Sequence, residues 1–166
     1  MENLAYIFGF WLGNGKHNYC IKVKKKDKYI LDRVSEILKK PIYYNKDNRQ
    51  YELFFNPNKV FKNYRMLMKK HTSHFMRGIL DSCGEVKLIK RNRVNLAFRY
   101  ENIDFLKQIR YLLVSEAGVL NGSFYKGKDY YSLKFGSRDT KLIRDYIYNN
   151  DNNLFLKRKK DKFNIL

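Results

Sequence analysis

The chain has 166 residues, 44% hydrophobic and 16% aromatic, and its 35 Lys and Arg against 16 Asp and Glu give a formal net charge of +19. Such a composition supplies a core and argues against wholesale disorder, and no apolar run approaches the roughly 18 residues of a membrane span. Two cysteines, Cys20 and Cys83, make no disulfide framework, and the opening "MENLAYIFGFWLGNG" lacks a basic n-region and a small-residue cleavage site, so a reducing cytoplasm is the expected compartment. A domain this basic, with pI near 9.9, repels itself unless a polyanion is near. Nucleic acid is the expected partner, and a membrane is not, because no long amphipathic helix carries a basic face.

In chain order, Leu4 to Leu12 reads as an apolar helix. "NYCIKVKKK" alternates, with Tyr19, Ile21 and Val23 on one face and Cys20, Lys22 and Lys24 on the other, the pattern of a half-buried strand. "DKYILDRVSEILKK" has a helical period at Ile30, Leu31, Val34, Ile37 and Leu38, opened by Asp27 as N-cap and ended by Pro41. "IYYNKDNRQYELFF" predicts a hairpin around Lys46, Asp47 and Asn48. "NPNKVFKNYRMLMKK" predicts one further helix, with Asn56 as cap and Pro57 at its first position.

The same order then returns. His74 to Leu80 is again an apolar helix. "EVKLIKR" and "RVNLAFRY" are alternating strands turned at Asn92. "NIDFLKQIRYLLVSEAG" is a helix ending at Gly118, "VLNGSFYKGKDYYSLKFG" a hairpin turned at Lys126, Gly127 and Lys128, and "SRDTKLIRDYIYNN" a closing helix. This divides the chain into halves at 1–71 and 72–150, followed by a basic tail at 151–166. The first half has room for one strand between its first two helices where the second has two.

Within the repeat, "IFGFWLGNG" (Ile7–Gly15) and "MRGILDSCG" (Met76–Gly84) share a plan, each with Gly at the third and ninth places. Gly9 and Gly13, and likewise Gly78 and Ser82, lie one helical turn apart. Small residues so spaced form a flat stripe along which two helices can approach closely.

These two stretches resemble the paired nine-residue motifs of the LAGLIDADG homing endonuclease family, in its single-chain, two-motif form. The order of elements after each motif also resembles that family's repeat. The resemblance implies an α+β fold with pseudo-two-fold symmetry and two motif helices packed at its centre. Two antiparallel β-sheets would form a basic saddle, with the other helices packed behind. It also implies that the eighth residue of each motif should be an acid that holds divalent metal against a scissile phosphate. Here those places are Asn14 and Cys83. Neither is the hard, negative oxygen ligand that Mg²⁺ prefers. Asp81, at the sixth place of its motif and expected to point away from the axis, and Glu85, just past the glycine, are the possible substitutes. Cys83 ends its helix, where the dipole raises a thiol pKa, so it is expected to be a filler and not a nucleophile. No metal or other cofactor is expected, except Mg²⁺ if cleavage survives. His71 and His74 have no partners that would complete a zinc site.

Strand alternation nominates the residues that would contact nucleic acid. In the first half they are Lys22, Lys24, Tyr43, Asn45, Lys46 and Arg49. In the second they are Lys87, Arg91, Arg93, Asn95, Arg99, Ser123, Tyr125, Lys126, Lys128, Ser132 and Lys134. Tyr43, Tyr125 and Tyr130 could stack on splayed RNA bases. The tail's Lys157, Arg158 and Lys159 would serve as a backbone-contacting arm. Three functions stay open: a monomeric binder of DNA or structured RNA without cleavage activity, a site-specific DNA endonuclease using replacement ligands, and a structural component of a ribonucleoprotein.

Overall fold

The computed structural model describes residues 1–14, 19–62, 64–89, 93–149 and 154–164. The first half runs α1 (Glu2–Gly13), β1 (Cys20–Lys24), α2 (Lys28–Leu38), β2 (Ile42–Asn45), β3 (Gln50–Phe54), α3 (Pro57–Val60) and α4 (Tyr64–Lys70). The second runs α5 (Thr72–Cys83), β4 (Gly84–Ile89), β5 (Arg93–Tyr100), α6 (Ile103–Ala117), β6 (Ser123–Lys126), β7 (Tyr131–Phe135) and α7 (Ser137–Tyr148). A short α8 (Lys157–Lys160) and a 3₁₀ turn (Asp161–Phe163) follow. Among the described residues, no helix is long and apolar enough to cross a membrane.

α1 and α5 are the central pair. Ala5, Tyr6, Ile7, Phe8, Gly9 and Phe10 are all buried on α1, so that helix is apolar around its whole circumference, as a central helix must be. The glycines let the two backbones meet. A methyl group at Gly9 would overlap the carbonyl oxygen of Phe75, and one at Gly78 would overlap that of Tyr6. Each glycine thus receives the carbonyl three residues before the other, the relation a two-fold axis requires. Further along, Gly13 lies against the Ser82 side chain. The glycine stripe expected from the sequence is the helix interface.

The two sheets flank this pair. The first is three-stranded in the order β1-β3-β2, and the second four-stranded in the order β4-β5-β7-β6, all antiparallel. Their inner faces bury Ile21, Val23 and Leu53 in one half and Val86, Val94, Leu96, Phe98, Leu133 and Phe135 in the other. Apolar stripes of α2, α6 and α7 cover them, with Ile30, Leu31 and Val34, then Leu106, Ile109 and Leu113, then Ile143 and Ile147 joining one continuous core. Register explains the difference between the sheets. β1 pairs with β3 as β5 pairs with β7, so among the described residues the first half has no counterpart of β4 and β1 is an edge.

Several local expectations hold and others need correction. Asn56 caps α3 by accepting from the Asn58 and Lys59 amides at 3.0 and 3.3 Å, with Pro57 at the first position. Gly118 ends α6 with φ +66. The single helix expected after Asn56 is instead two, because Phe61 leaves the helical path and packs its ring 4.8 Å from Phe8 and 6.1 Å from Trp11. Asp27 stands at the N-cap position of α2 but makes no side-chain cap bond. Its carboxylate is held by Arg158, from Nε at 2.8 Å and Nη2 at 2.9 Å. The turn expected at Asn92 lies outside the described residues.

The largest correction concerns the tail. Leu154, Leu156 and Phe163 are buried in the core. The Leu156 amide donates to Asp81 Oδ2 at 2.8 Å. On α2, the Tyr29 hydroxyl donates to the Phe155 carbonyl at 3.2 Å and accepts from the Lys157 amide at 2.6 Å. Lys159 is buried and its Nζ donates to the carbonyls of Leu80, Asp81 and Gly84 at 2.7, 2.6 and 2.6 Å. Those carbonyls lie at the C-terminal end of α5, where intrahelical partners run out and negative dipole charge accumulates. The tail is therefore a strap joining the halves. Lys159 is committed inside the protein and Arg158 is tied to Asp27 at the surface, while Lys157 is exposed.

Candidate nucleic-acid interface and the helix ends

Antiparallel partners directly opposite each other share a face. On the first sheet the register aligns Lys22, Glu52 and Tyr43 in one row, Lys24, Gln50 and Asn45 in the next, and Cys20 with Phe54 in the third. These rows form the face turned away from the core. On the second sheet the outward parity holds Glu85, Lys87, Arg93, Asn95, Ala97, Arg99, Ser132, Lys134, Ser123 and Tyr125. Eight residues nominated from sequence on these strands therefore share one face of the second sheet: Lys87, Arg93, Asn95, Arg99, Ser123, Tyr125, Ser132 and Lys134. One of the eight, and Lys126 beside them, need qualification. Ser132 has the right parity but is buried, and Lys126 has the core-facing parity and is exposed only because β6 ends there. Lys46, Arg49 and Lys128 are exposed in turns beyond the strand ends, and Arg91 lies outside the described residues.

Acids temper these faces. Glu52 is buried, accepting from Asn45 Nδ2 at 3.1 Å and pairing with Lys22 Nζ at 3.2 Å. Glu85 pairs with Arg99 at 2.7 Å and Lys87 at 3.5 Å. Asn45 is further occupied by its own turn, its Oδ1 accepting from the Asp47 and Asn48 amides. Aromatic rings complete the surface. Lys134 Nζ sits 4.1 Å from the Tyr125 ring centroid and the Arg99 guanidinium 5.4 Å from that of Tyr130. Gln50, Glu52 and Phe54 were missed in the sequence, although the alternation of "QYELFF" places all three on the basic face.

The two helix ends meet between the sheets. Asn14 Nδ2 donates to the Lys22 carbonyl at 3.1 Å, which satisfies part of the free edge of β1. Cys83 Sγ lies 3.4 Å from the position of a methyl group on Gly13 and contacts the Ile79 carbonyl. Burial pushes its thiol up to about 12, so it stays protonated at neutral pH. Glu85 faces its cations on the saddle. Asp81 is buried below the ends, where its Oδ2 accepts from the Tyr6 hydroxyl and the Leu156 amide, both at 2.8 Å. Burial, only partly offset by Lys159 and these donors, raises its pKa to about 6. A cavity of about 420 Å³ opens beside β1, with Asn14, Lys22, Asp81, Ser82, Leu156 and Arg158 among its walls. A Mg²⁺ pair of the kind the sequence resemblance implies does not fit these groups. One end presents an amide whose nitrogen already serves a backbone carbonyl, the other a neutral thiol. Among the described residues, no three His, Cys, Asp or Glu side chains gather as a metal-holding cluster.

No family model matches the sequence, and no curated protein matches it. Solved structures do. Full-length DUF199/WhiA from Thermatoga maritima superposes with a TM-score of 0.71 at 16% identity, over 99% of this chain and 59% of that one. Mesophilic variants of the homing endonuclease I-DmoI give 0.64 at 18% identity, over 96% of each chain. The LAGLIDADG meganuclease I-AabMI, bound to uncleaved DNA, gives 0.63 at 11% identity, over 98% of this chain and 88% of that one. At these identities what is shared is the fold.

Proposed function

We propose that this chain, whose fold is of the LAGLIDADG type, is a monomeric nucleic-acid-binding protein that holds DNA or structured RNA across its two sheets and does not cut it. The observation that carries the reading is the shared outward face. Register puts Lys22 and Lys24 on the outward face of the first sheet and Lys87, Arg93, Arg99 and Lys134 on the outward face of the second, in a chain of net charge +19. Such cations neutralise phosphates and release counterions. That I-AabMI is bound to DNA with the same fold supports duplex DNA as one ligand.

Silence of the centre follows from the chemistry of Asn14 and Cys83. Phosphodiester cleavage by bridged metals needs negative oxygen ligands to fix the ions and generate the attacking hydroxide. An amide and a protonated thiol provide neither. Asp81 is buried, and its Oδ2 is taken by Tyr6 and Leu156. The test is a pair of measurements on the same preparation. Fluorescence anisotropy with labelled duplex and hairpin RNA should show binding. Supercoiled plasmid incubated with Mg²⁺ or Mn²⁺ should stay uncut. Nicks or double-strand breaks that disappear with EDTA would establish the endonuclease reading in its place.

A further inference from the structure

We propose that the Tyr43–Phe54 pair on the three-stranded sheet is a stacking platform for unpaired bases, so that the preferred ligand of this face is a single-stranded or looped nucleic-acid segment. The inference rests on the nucleic-acid reading and narrows it. Tyr43 is 55% and Phe54 50% exposed, on the face opposite the core, with ring centroids 6.0 Å apart and planes inclined at 62°. A phenylalanine held half in water on a well-packed sheet leaves apolar area uncovered, and it has no polar atom of its own to hydrate. Something flat and apolar is missing from above it.

The surroundings identify that partner by charge. Lys22 and Lys24 share the face with the two rings, so the ligand carries negative charge beside its planar groups. Nucleic acid combines both. A duplex offers base edges to a protein, since its ring faces are stacked on one another, and only unpaired bases present faces. The two sheets differ in this respect. Over Tyr125 and Tyr130 the ring faces already carry Lys134 and Arg99, whereas among the described residues no cation lies over Tyr43 or Phe54, and Lys22 is drawn to Glu52. The first sheet keeps its rings open, with a phosphate-binding lysine on the neighbouring strand.

The test uses the full chain and three probes: a labelled 20-nucleotide RNA of mixed sequence, the DNA of that sequence, and that DNA annealed to its complement. Tyr43→Ala with Phe54→Ala should weaken single-strand binding about 5- to 100-fold, the range of base–aromatic stacking, while duplex binding stays within about twofold. The salt dependence should not change, because no cation is lost, and since each ring is half buried a cooperative melt and an unchanged duplex affinity show that the variant is folded. Phe54→Trp should keep the affinity, and its added emission, read against the parent with Trp11 alone, should be quenched by the strand. Preference between the RNA and DNA strands identifies which source of unpaired bases is bound. Equal losses on duplex and single strand would mean that the rings touch paired bases, for instance a thymine methyl, and would overturn the inference. So would undiminished single-strand binding in the double variant. No binding to any probe would instead remove the nucleic-acid reading itself.

Discussion

At the scale of single residues, Asp81 sets a pH dependence whose sign is fixed by burial. Its carboxyl titrates near 6 in the folded protein, above its ordinary value of 3.8, so the folded state holds the proton more tightly than the unfolded chain does. The stabilisation this gives is complete below about pH 4 and is lost as pH rises through 6. Measured by urea unfolding, wild type should lose on the order of 2–3 kcal/mol relative to Asp81→Asn between pH 4 and 7, at about 1.4 kcal/mol per pKa unit. A constant difference between the two proteins over that range would mean Asp81 is not held protonated by burial. Asn14 and Cys83 allow a second measurement. Converting both to Asp places two like charges at helix ends already in contact through Gly13 and Ser82. Repulsion between them is relieved by a divalent cation. Calorimetry with Ca²⁺ or Mg²⁺ should show binding by the double variant and none at this centre in wild type. Cleavage need not return with it, since Lys159 is bound to backbone carbonyls and Lys22 and Arg158 to carboxylates, so none of them is free to assist.

At the scale of elements, the crossing of α1 and α5 depends on two side chains that are absent. Leucine at Gly9 or Gly78 would have to displace the backbone of the facing helix, and overpacking of this kind costs roughly 1–3 kcal/mol or more. Each variant is expected to melt lower by several degrees, and a wild-type melting temperature for both would show that the helices do not meet there. This contact was legible in the sequence because its signal is local: two small residues a turn apart, repeated in each half. The sheet faces were legible for the same reason, since alternation at Lys22 and Lys24, or at Arg93, Asn95 and Arg99, is read two residues at a time. The tail was not. Its run Lys157, Arg158, Lys159 and Lys160 has no neighbour in sequence that says which cation will be buried. Lys159 is settled by carbonyls more than 70 residues away, and Arg158 by Asp27 in the first half. A tertiary partner for a charge leaves no periodic trace. The same holds for Asp27, whose place at a helix start suggested a cap while its carboxylate was claimed from across the molecule.

At the scale of the whole molecule, the charge predicts how binding responds to ions. If roughly 6–10 phosphates are neutralised by the two faces, affinity should fall about 10³- to 10⁵-fold between 50 and 200 mM salt. An isotherm that hardly moves over that range would exclude a ligand held through phosphates. The slope should be smaller than the net charge suggests. Arg158 and Lys159 are spent on the strap, and Lys22, Lys87 and Arg99 begin in ion pairs with Glu52 and Glu85 that a phosphate must compete with.

That the first sheet has one strand fewer than the second among the described residues reaches further than the sheet itself. Strands lie about 4.8 Å apart, and a duplex rises about 3.4 Å per base pair, so one lobe is narrower than the other by the length of roughly one and a half base pairs. The narrow lobe also carries open aromatic rings where the wide one carries rings under cations. If duplex DNA lies across both sheets as proposed, a palindrome offers both lobes the same half-site and suits only one of them. The helix pair is nearly symmetric, but the surface around it has a left and a right. A duplex bound as proposed would therefore have a fixed orientation: turned end for end, it would make a different complex.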